Sequence, residues 1–255
     1  MSDDSAQFSG TMEVRERLKF DVASLEAYLK QNVDGFNGPL EVAQFKGGQS
    51  NPSYMLTTPN RKYVLRRKPP GKLLPSAHAV DREYRVMSAL ANTEVPVPKT
   101  FCLCEDEDII GTMFYVMEFL DGDIEWDPSL PNYSKANRVA VFDSMNAAMA
   151  SLHMVDYKAV GLESFGKPTE YLARQISRWT KQYKASETET IEAMDNLMAW
   201  LPDNIPSGEE TAIVHGDYRL DNTVLNKDTH RVMGILDWEL ATLGHPLADF
   251  SYHCM

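Results

Sequence analysis

Residues 215–226 read HGDYRLDNTVLN. They follow the apolar run AIV at 212–214 and close on a second one, TVL at 223–225. Two short strand-like segments therefore bracket a loop that carries His215, Gly216, Asp217 and Asn222. On their own, these residues also suit a strand end capped by Asp and Asn, with the histidine satisfied in the core. The next apolar run ends in ILDWE at 235–239. It sets another carboxylate, Asp237, 20 positions after Asp217.

Upstream, the chain changes period twice. DVASLEAYLKQNV, from Asp21, places Val22, Leu25 and Leu29 on one helical face, with Asp21 as N-cap. PLEVAQFKGG, SYMLTT and KYVLRR alternate as strands, broken by GGQSNP and TPNR. SAHAVDREYRVMSALA is a helix with the stripe Val80, Tyr84, Met87, Ala91, stopped by VPVPKT. TFCLC and GTMFYVMEFL are two further strands, and EDEDII between them is a solvated connection. Beyond the turn-rich LDGDIEWDP the pattern is mainly helical. One face carries Val141, Met145, Ala148, Met149 and Leu152. A second carries Leu172, Ile176, Trp179 and Tyr183. A third carries Ile191, Met194, Leu197, Met198 and Leu201. The expected architecture is α+β and bilobal. Residues 1–120 form a leader, a helix and an antiparallel β lobe with one helix against it; residues 121–255 form a helical lobe.

Composition narrows the classes. The 255 residues are 43 % apolar and 24 % charged, ordinary for a soluble globular protein. No stretch nears the roughly 18 apolar residues of a membrane span, and the polar N-terminus has no signal core. We expect a cytoplasmic protein with no membrane partner. Net charge is −12, with 14 Lys/Arg against 16 Asp/Glu through residue 120 and 11 against 21 beyond it. That balance speaks against nucleic acid as partner. It suits a cationic substrate or simple solubility. Cys102 and Cys104 alternate in one strand, so both face one side as packing residues; with Cys254 they make no disulfide framework.

A β lobe with one helix, followed by helices that enclose a polar hairpin, is the layout of protein-kinase-like phosphotransferases. HGDYRLDN has the H-x-D-x-x-x-x-N spacing of their catalytic loop. There Asp217 would orient an acceptor hydroxyl and take its proton. Asn222 and, across the hairpin, Asp237 would hold Mg²⁺. In FKGGQSNPSYML, Gly47 and Gly48 admit close phosphate approach, and Ser50 and Asn51 can donate hydrogen bonds; the same glycines suit an ordinary hairpin turn. KYVLR and REYR set Arg66 and Glu83 where kinases pair a strand Lys with a helix Glu. A guanidinium can make both contacts of that Lys. Lys68, two residues on and so on the same face, is the alternative. In YVMEFLDG the Glu118 carbonyl and Leu120 N–H would meet an adenine edge, with Met117 behind it.

These motifs, with YVLRRKPPGKLLPSAHAVDREYRVMSAL and ILDWELATLGHPLADF, resemble the aminoglycoside phosphotransferase and choline kinase-like family of small-molecule kinases. The resemblance runs from about Pro39 onward. It is nearest the branch found beside, or fused to, acyl-CoA dehydrogenases. It implies a kinase-like bilobal fold, ATP or GTP, Mg²⁺, and a hydroxylated small molecule as acceptor, with a hydroxy acid or hydroxyacyl compound in an acyl-CoA dehydrogenase-linked pathway as the expected kind. It also implies that Arg219 stands where protein kinases carry the catalytic-loop Lys that touches the transferred phosphate. Asp249 would brace the catalytic-loop backbone. Relatives carry G-D-P where this chain has Gly244-His245-Pro246, and they continue past ADFSYHC with further helices of the acceptor pocket. Two alternatives stand beside this reading. One is an aminoglycoside- or choline-type kinase, for which the acidic second half would suit a cationic acceptor. The other is a nucleotide-binding pseudokinase, which the missing strand Lys favours. A protein kinase is disfavoured because only 12 positions separate Asp237 from Asp249 and no A-P-E follows. Arg174, Arg178, Lys181 and Lys184 line one side of a helix, either as a solvated face or toward an acidic or CoA-linked acceptor.

Overall fold

The computed structural model describes residues 10–47, 51–71, 78–208 and 210–255. Alternation in the first part builds one antiparallel sheet from β1 (Thr11–Met12), β2 (Glu41–Phe45), β3 (Ser53–Thr57), β4 (Lys62–Arg67), β5 (Thr100–Cys104) and β6 (Phe114–Glu118). Its spatial order is β1-β2-β3-β4-β6-β5. Period 2 sorts the side chains onto two faces. Tyr63, Leu65, Phe114 and Val116 pack with Leu25 and Leu29 of helix α1 (Val22–Asn32). Cys102 and Cys104 join that cluster, both buried and unpaired. Val64, Tyr115 and Met117 face the other way, onto helix α2 (Val80–Leu90). Asp21 caps α1, its carboxylate accepting from the N–H groups of Ala23 and Ser24 at 2.9 and 3.0 Å.

The register of α2 differs slightly from the sequence expectation. Val80 and Met87 are buried as expected, but Val86 and Leu90 complete the buried face, while Tyr84 is only half-buried and Ala91 is exposed. The helix is gripped on two sides. The sheet takes one side. On the other, Arg82 donates to the carbonyls of Phe165 and Ala241 at 2.8 and 3.2 Å. A stripe rotated toward both neighbours buries Glu83 as well.

The cluster between the sheet and α1 is separate; the core on the α2 face of the sheet continues into the second part of the chain. It includes helix α3 (Lys135–His153), which buries the five residues its periodicity marks: Val141, Met145, Ala148, Met149 and Leu152. Around it lie two short antiparallel pairs. One joins β7 (Ala212–Val214) to β10 (Thr242–Gly244); the other joins β8 (Thr223–Leu225) to β9 (Val232–Ile235). The joint at Asp123 is pinned to β8 by reciprocal bonds with Leu225, 2.9 and 2.8 Å. Helices α4 (Tyr171–Ser186) and α5 (Glu192–Trp200) form as expected, yet neither buries a residue. Trp179, Ile191, Leu197 and Trp200 stand exposed. Amphipathic period suffices to make a helix, but full burial needs packing on every side, and Leu172, Ile176, Tyr183, Met194 and Met198 are only half-buried. Helix α6 (Leu247–His253) ends the described fold.

Candidate active site

The loop at residues 215–222 is held from three directions. Asp249, fully buried at the start of α6, accepts from the backbone N–H groups of His215 and Gly216, both at 2.8 Å. Its Oδ2 also meets Nε2 of His153, the last residue of α3, at 3.0 Å. The Tyr218 hydroxyl, buried, donates to the Met145 carbonyl at 2.7 Å. Gly216 takes φ +83°, and a Cβ there would lie 2.8 Å from the Leu240 carbonyl oxygen. Both facts require glycine. His215 is buried against Trp238, ring centroids 4.7 Å apart. Its Nδ1 accepts from the Asp217 N–H at 3.3 Å and its Nε2 lies 2.8 Å from the Leu236 carbonyl. These partners assign a neutral ring protonated on Nε2. Burial lowers its pKa, against the pull of Asp249 and Asp237.

So held, the loop presents Asp217 half-buried. Its Oδ2 accepts from Nδ2 of Asn222 at 2.9 Å, and the same amide nitrogen reaches the Asp217 carbonyl at 2.9 Å. Both contacts use the side-chain amide nitrogen, so neither occupies the side-chain oxygen Oδ1 of Asn222, which is distinct from its backbone carbonyl. Leu236 is clamped to the loop on both sides of its own backbone. Its N–H donates to the Asn222 carbonyl at 2.8 Å and its carbonyl accepts from His215. Asp237, next in sequence, therefore lies beside Asn222, in the left-handed region at φ +63°. Arg219 pairs with Asp221 at 2.9 Å and lies 3.6 Å from Asp217.

Strand alternation turns Arg66 toward α2. Its Nη2 donates to Asp237 Oδ1 at 2.9 Å and its Nε lies 3.4 Å from Glu83 Oε2. Burial works against this charge, but the carboxylates of Glu83 and Asp237 outweigh it and raise the pKa. Burial likewise pushes the Glu83 carboxyl up, to about 7, against the pull of Arg66. The Tyr115 hydroxyl donates to Glu83 at 3.1 Å. Lys68 lies 4.0 Å from Asp81 at the exposed start of α2. Asn51 is fully buried and donates to Glu83, 2.9 Å, and Glu239, 3.3 Å. Gly47 leads into this region from β2; Gly48 and Ser50 lie outside the described residues. Met117 is buried on β6, opposite Val64. The Glu118 N–H donates to the Lys99 carbonyl and the Leu120 carbonyl accepts from Gly122. Leu120 packs directly on Gly234 of β9, where a Cβ would have no room.

Sequence reasoning did not name Tyr115, Glu239 or Tyr252. Tyr115 was legible as the residue two before Met117 on the same strand face. Tyr252, in α6, hydrogen-bonds Asp217, and this raises its own pKa. Only the packing of α6 reveals that contact. His245 Nδ1 accepts from the Leu247 N–H at 3.2 Å, just before α6. Arg174, Arg178 and Lys181 line an open groove on α4 with Ser177 and Gln182.

The model of the phosphotransferase enzyme family matches residues 41–255. The chain belongs to that family. It is 48 % identical over 246 residues to mouse acyl-CoA dehydrogenase family member 10, and 44 % over 249 residues to human acyl-CoA dehydrogenase family member 11. Each alignment covers 96 % of this chain but only 23 % and 32 % of those proteins, so the chain spans a quarter to a third of their length. A crystal structure from Ralstonia eutropha, provisionally designated an aminoglycoside phosphotransferase, is 56 % identical with a TM-score of 0.86. The match covers 93 % of this chain and 70 % of that one. An aminoglycoside phosphotransferase solved with ADP and hygromycin B shares the fold at 17 % identity and TM-score 0.63, over 90 % and 75 % of the two chains.

The family's fold implies a nucleotide and a divalent metal. The donor set here fits a hard cation: the Asp237 carboxylate and Asn222 side-chain oxygen are oxygen ligands, and oxygen atoms of Glu83, Asp237 and Glu239 lie within 4.8 Å of one another.

Proposed function

We propose that this phosphotransferase moves the γ-phosphate of ATP to a hydroxyl group of a small molecule, in the presence of Mg²⁺. The observation that carries this reading is the double clamp on Leu236, which sets Asp237 beside Asn222 while Asn222 holds Asp217. Asp217 would take the acceptor's proton as its oxygen attacks the γ-phosphorus. Asn222 keeps one carboxylate oxygen of Asp217 engaged, so the other is the one that faces the acceptor. Arg219, at the loop's rim, would turn from Asp221 toward the transferred phosphate. Arg66 would steady the α- and β-phosphates, backed by Glu83. Gly47, Gly48 and Ser50 would belong to the connection over the phosphates, with Asn51 at its root, and Met117, Glu118 and Leu120 to the adenine edge. Mg²⁺, held by Asn222 and Asp237, would neutralise the charge of the phosphate oxygens.

The named relatives favour a hydroxylated acyl acceptor. The test is ADP release from ATP, and in parallel from GTP, with a panel of hydroxy acids, hydroxyacyl-CoA thioesters, aminoglycosides and choline. Acceptor-dependent release that Asp217→Asn abolishes supports the reading. Nucleotide binding with no release for any acceptor would favour a nucleotide-binding scaffold, the second reading. Arg66 at the lysine position, bridged to Asp237, is the observation on its side.

A further inference from the structure

Asn51 stands at the root of the glycine-containing connection, two residues before β3. A residue that serves phosphates directly needs its polar atoms turned outward. Here the side chain is wholly buried and its polar atoms are spent on the protein. Nδ2 donates to Glu83 Oε1 at 2.9 Å and to Glu239 Oε2 at 3.3 Å, and Oδ1 meets Nδ1 of His78 at 3.1 Å. The three partners come from helix α2, from the residue that leads into it, and from the segment that carries Asp237. The amide cannot be flipped cheaply, since its carbonyl oxygen would then face two carboxylates. An aspartate in its place would add a third carboxylate to the same buried spot. Only a neutral side chain with two donors and one acceptor satisfies all three neighbours.

The same surface holds a second link, Arg66 to Asp237. Both donors belong to the β-sheet side, and both carboxylates lie two residues apart after β9. A divalent cation on Asp237 competes with Arg66 for that carboxylate, but the bond from Asn51 to Glu239 does not pass through Asp237. We propose that Asn51 is a positioning residue of the nucleotide site. It ties the root of the glycine connection, Glu83 and the Asp237 segment into one unit, and holds that unit together when the Arg66–Asp237 bridge opens. The proposal rests on the phosphotransferase reading of the site.

The test uses the whole chain with Asn51→Ala, Asn51→Asp, Glu239→Gln and Glu239→Leu. Hydrogen exchange on the nucleotide-free, metal-free protein should speed up over residues 80–84 and 237–241 in both Asn51 variants. It should do so in Glu239→Leu, and far less in Glu239→Gln, whose amide carbonyl still accepts. Calorimetry should find ADP with Mg²⁺ bound about tenfold more weakly by Asn51→Ala, the scale of a lost pair of charge-assisted bonds. Unchanged exchange in those segments overturns the proposal. So does faster exchange with unchanged nucleotide affinity, which would make the residue merely structural. If Asn51→Ala does not fold, the contrast between Glu239→Gln and Glu239→Leu decides. A wild type that binds ADP but phosphorylates no acceptor removes the phosphotransferase reading and leaves this one to the exchange and affinity data. A wild type that binds no nucleotide removes both.

Discussion

At the scale of single residues, the proposed function separates acid–base work from charge work. Asp217 is engaged by Asn222, and Asp237 by Arg66. Asp217→Asn should lower turnover by about 10²-fold or more with nucleotide affinity nearly unchanged, because a base acts on the acceptor. Asp237→Ala should remove metal-dependent nucleotide binding. Calorimetry beside steady-state kinetics distinguishes the two, and equal behaviour in binding would refute the division. Arg66→Ala should weaken nucleotide binding, while Arg66→Lys keeps part of it, since lysine supplies charge without the planar fork. If Lys68→Ala weakened binding and Arg66→Ala did not, the strand register argued for this site would be wrong. His215 adds a pH dependence. Burial lowers its pKa in the folded protein, whereas the unfolded chain takes up the proton near 6.5. Below about pH 6.5 the unfolded state therefore binds more protons, and stability falls on acidification through that window. His253, lowered by burial, acts in the same sense. Urea unfolding between pH 7.5 and 5.5 should show the loss, and a His215→Gln variant should show a shallower slope.

At the scale of elements, short strands and caps do the positioning. Gly216 ends β7 at a φ open to glycine and within contact of Leu240. Gly216→Ala should cost about 2 kcal/mol or more, from backbone strain and a displaced Leu240 segment. Chemical denaturation measures this, and a loss under 0.5 kcal/mol on the ~1 kcal/mol scale of ordinary substitutions would contradict the close approach. The strands show how much a two-residue period can carry. Alternation on β4 sends Arg66 toward α2 and Leu65 toward α1, and alternation on β6 does the same for Tyr115 and Val116. The helices show its limit. The stripe on α3 is buried as its spacing suggests, but equally regular stripes on α4 and α5 bury no residue fully.

At the scale of the molecule, α2 is the connecting piece. It packs on the sheet, bonds to Phe165 and Ala241 through Arg82, and delivers Glu83 to Arg66 and Asn51. Nucleotide bound where these parts meet would contact both sides. At about 100 times its dissociation constant, a ligand specific for the folded state adds about 2.7 kcal/mol. ATP with Mg²⁺ should therefore raise the thermal midpoint by several degrees, and EDTA should abolish most of the rise. A midpoint indifferent to ATP, in a protein shown to be folded, would remove the nucleotide site. No helix among the described residues is long and apolar enough to cross a membrane.

The chain's own order of residues determined the element sequence and the family. Spacing along 215–226 and 235–239, alternation on β4 and β6, and the cap at Asp21 are local, and local rules read them. The tertiary structure alone decided which residues close the site. Asn51 and Glu239 are 188 positions apart, and Tyr252 reaches Asp217 from the last helix. Such contacts depend on where the chain returns in space, which no short-range period encodes. The direction of the Asn51 amide has the same origin: carboxylates from two distant segments meet there, and their charge orients it.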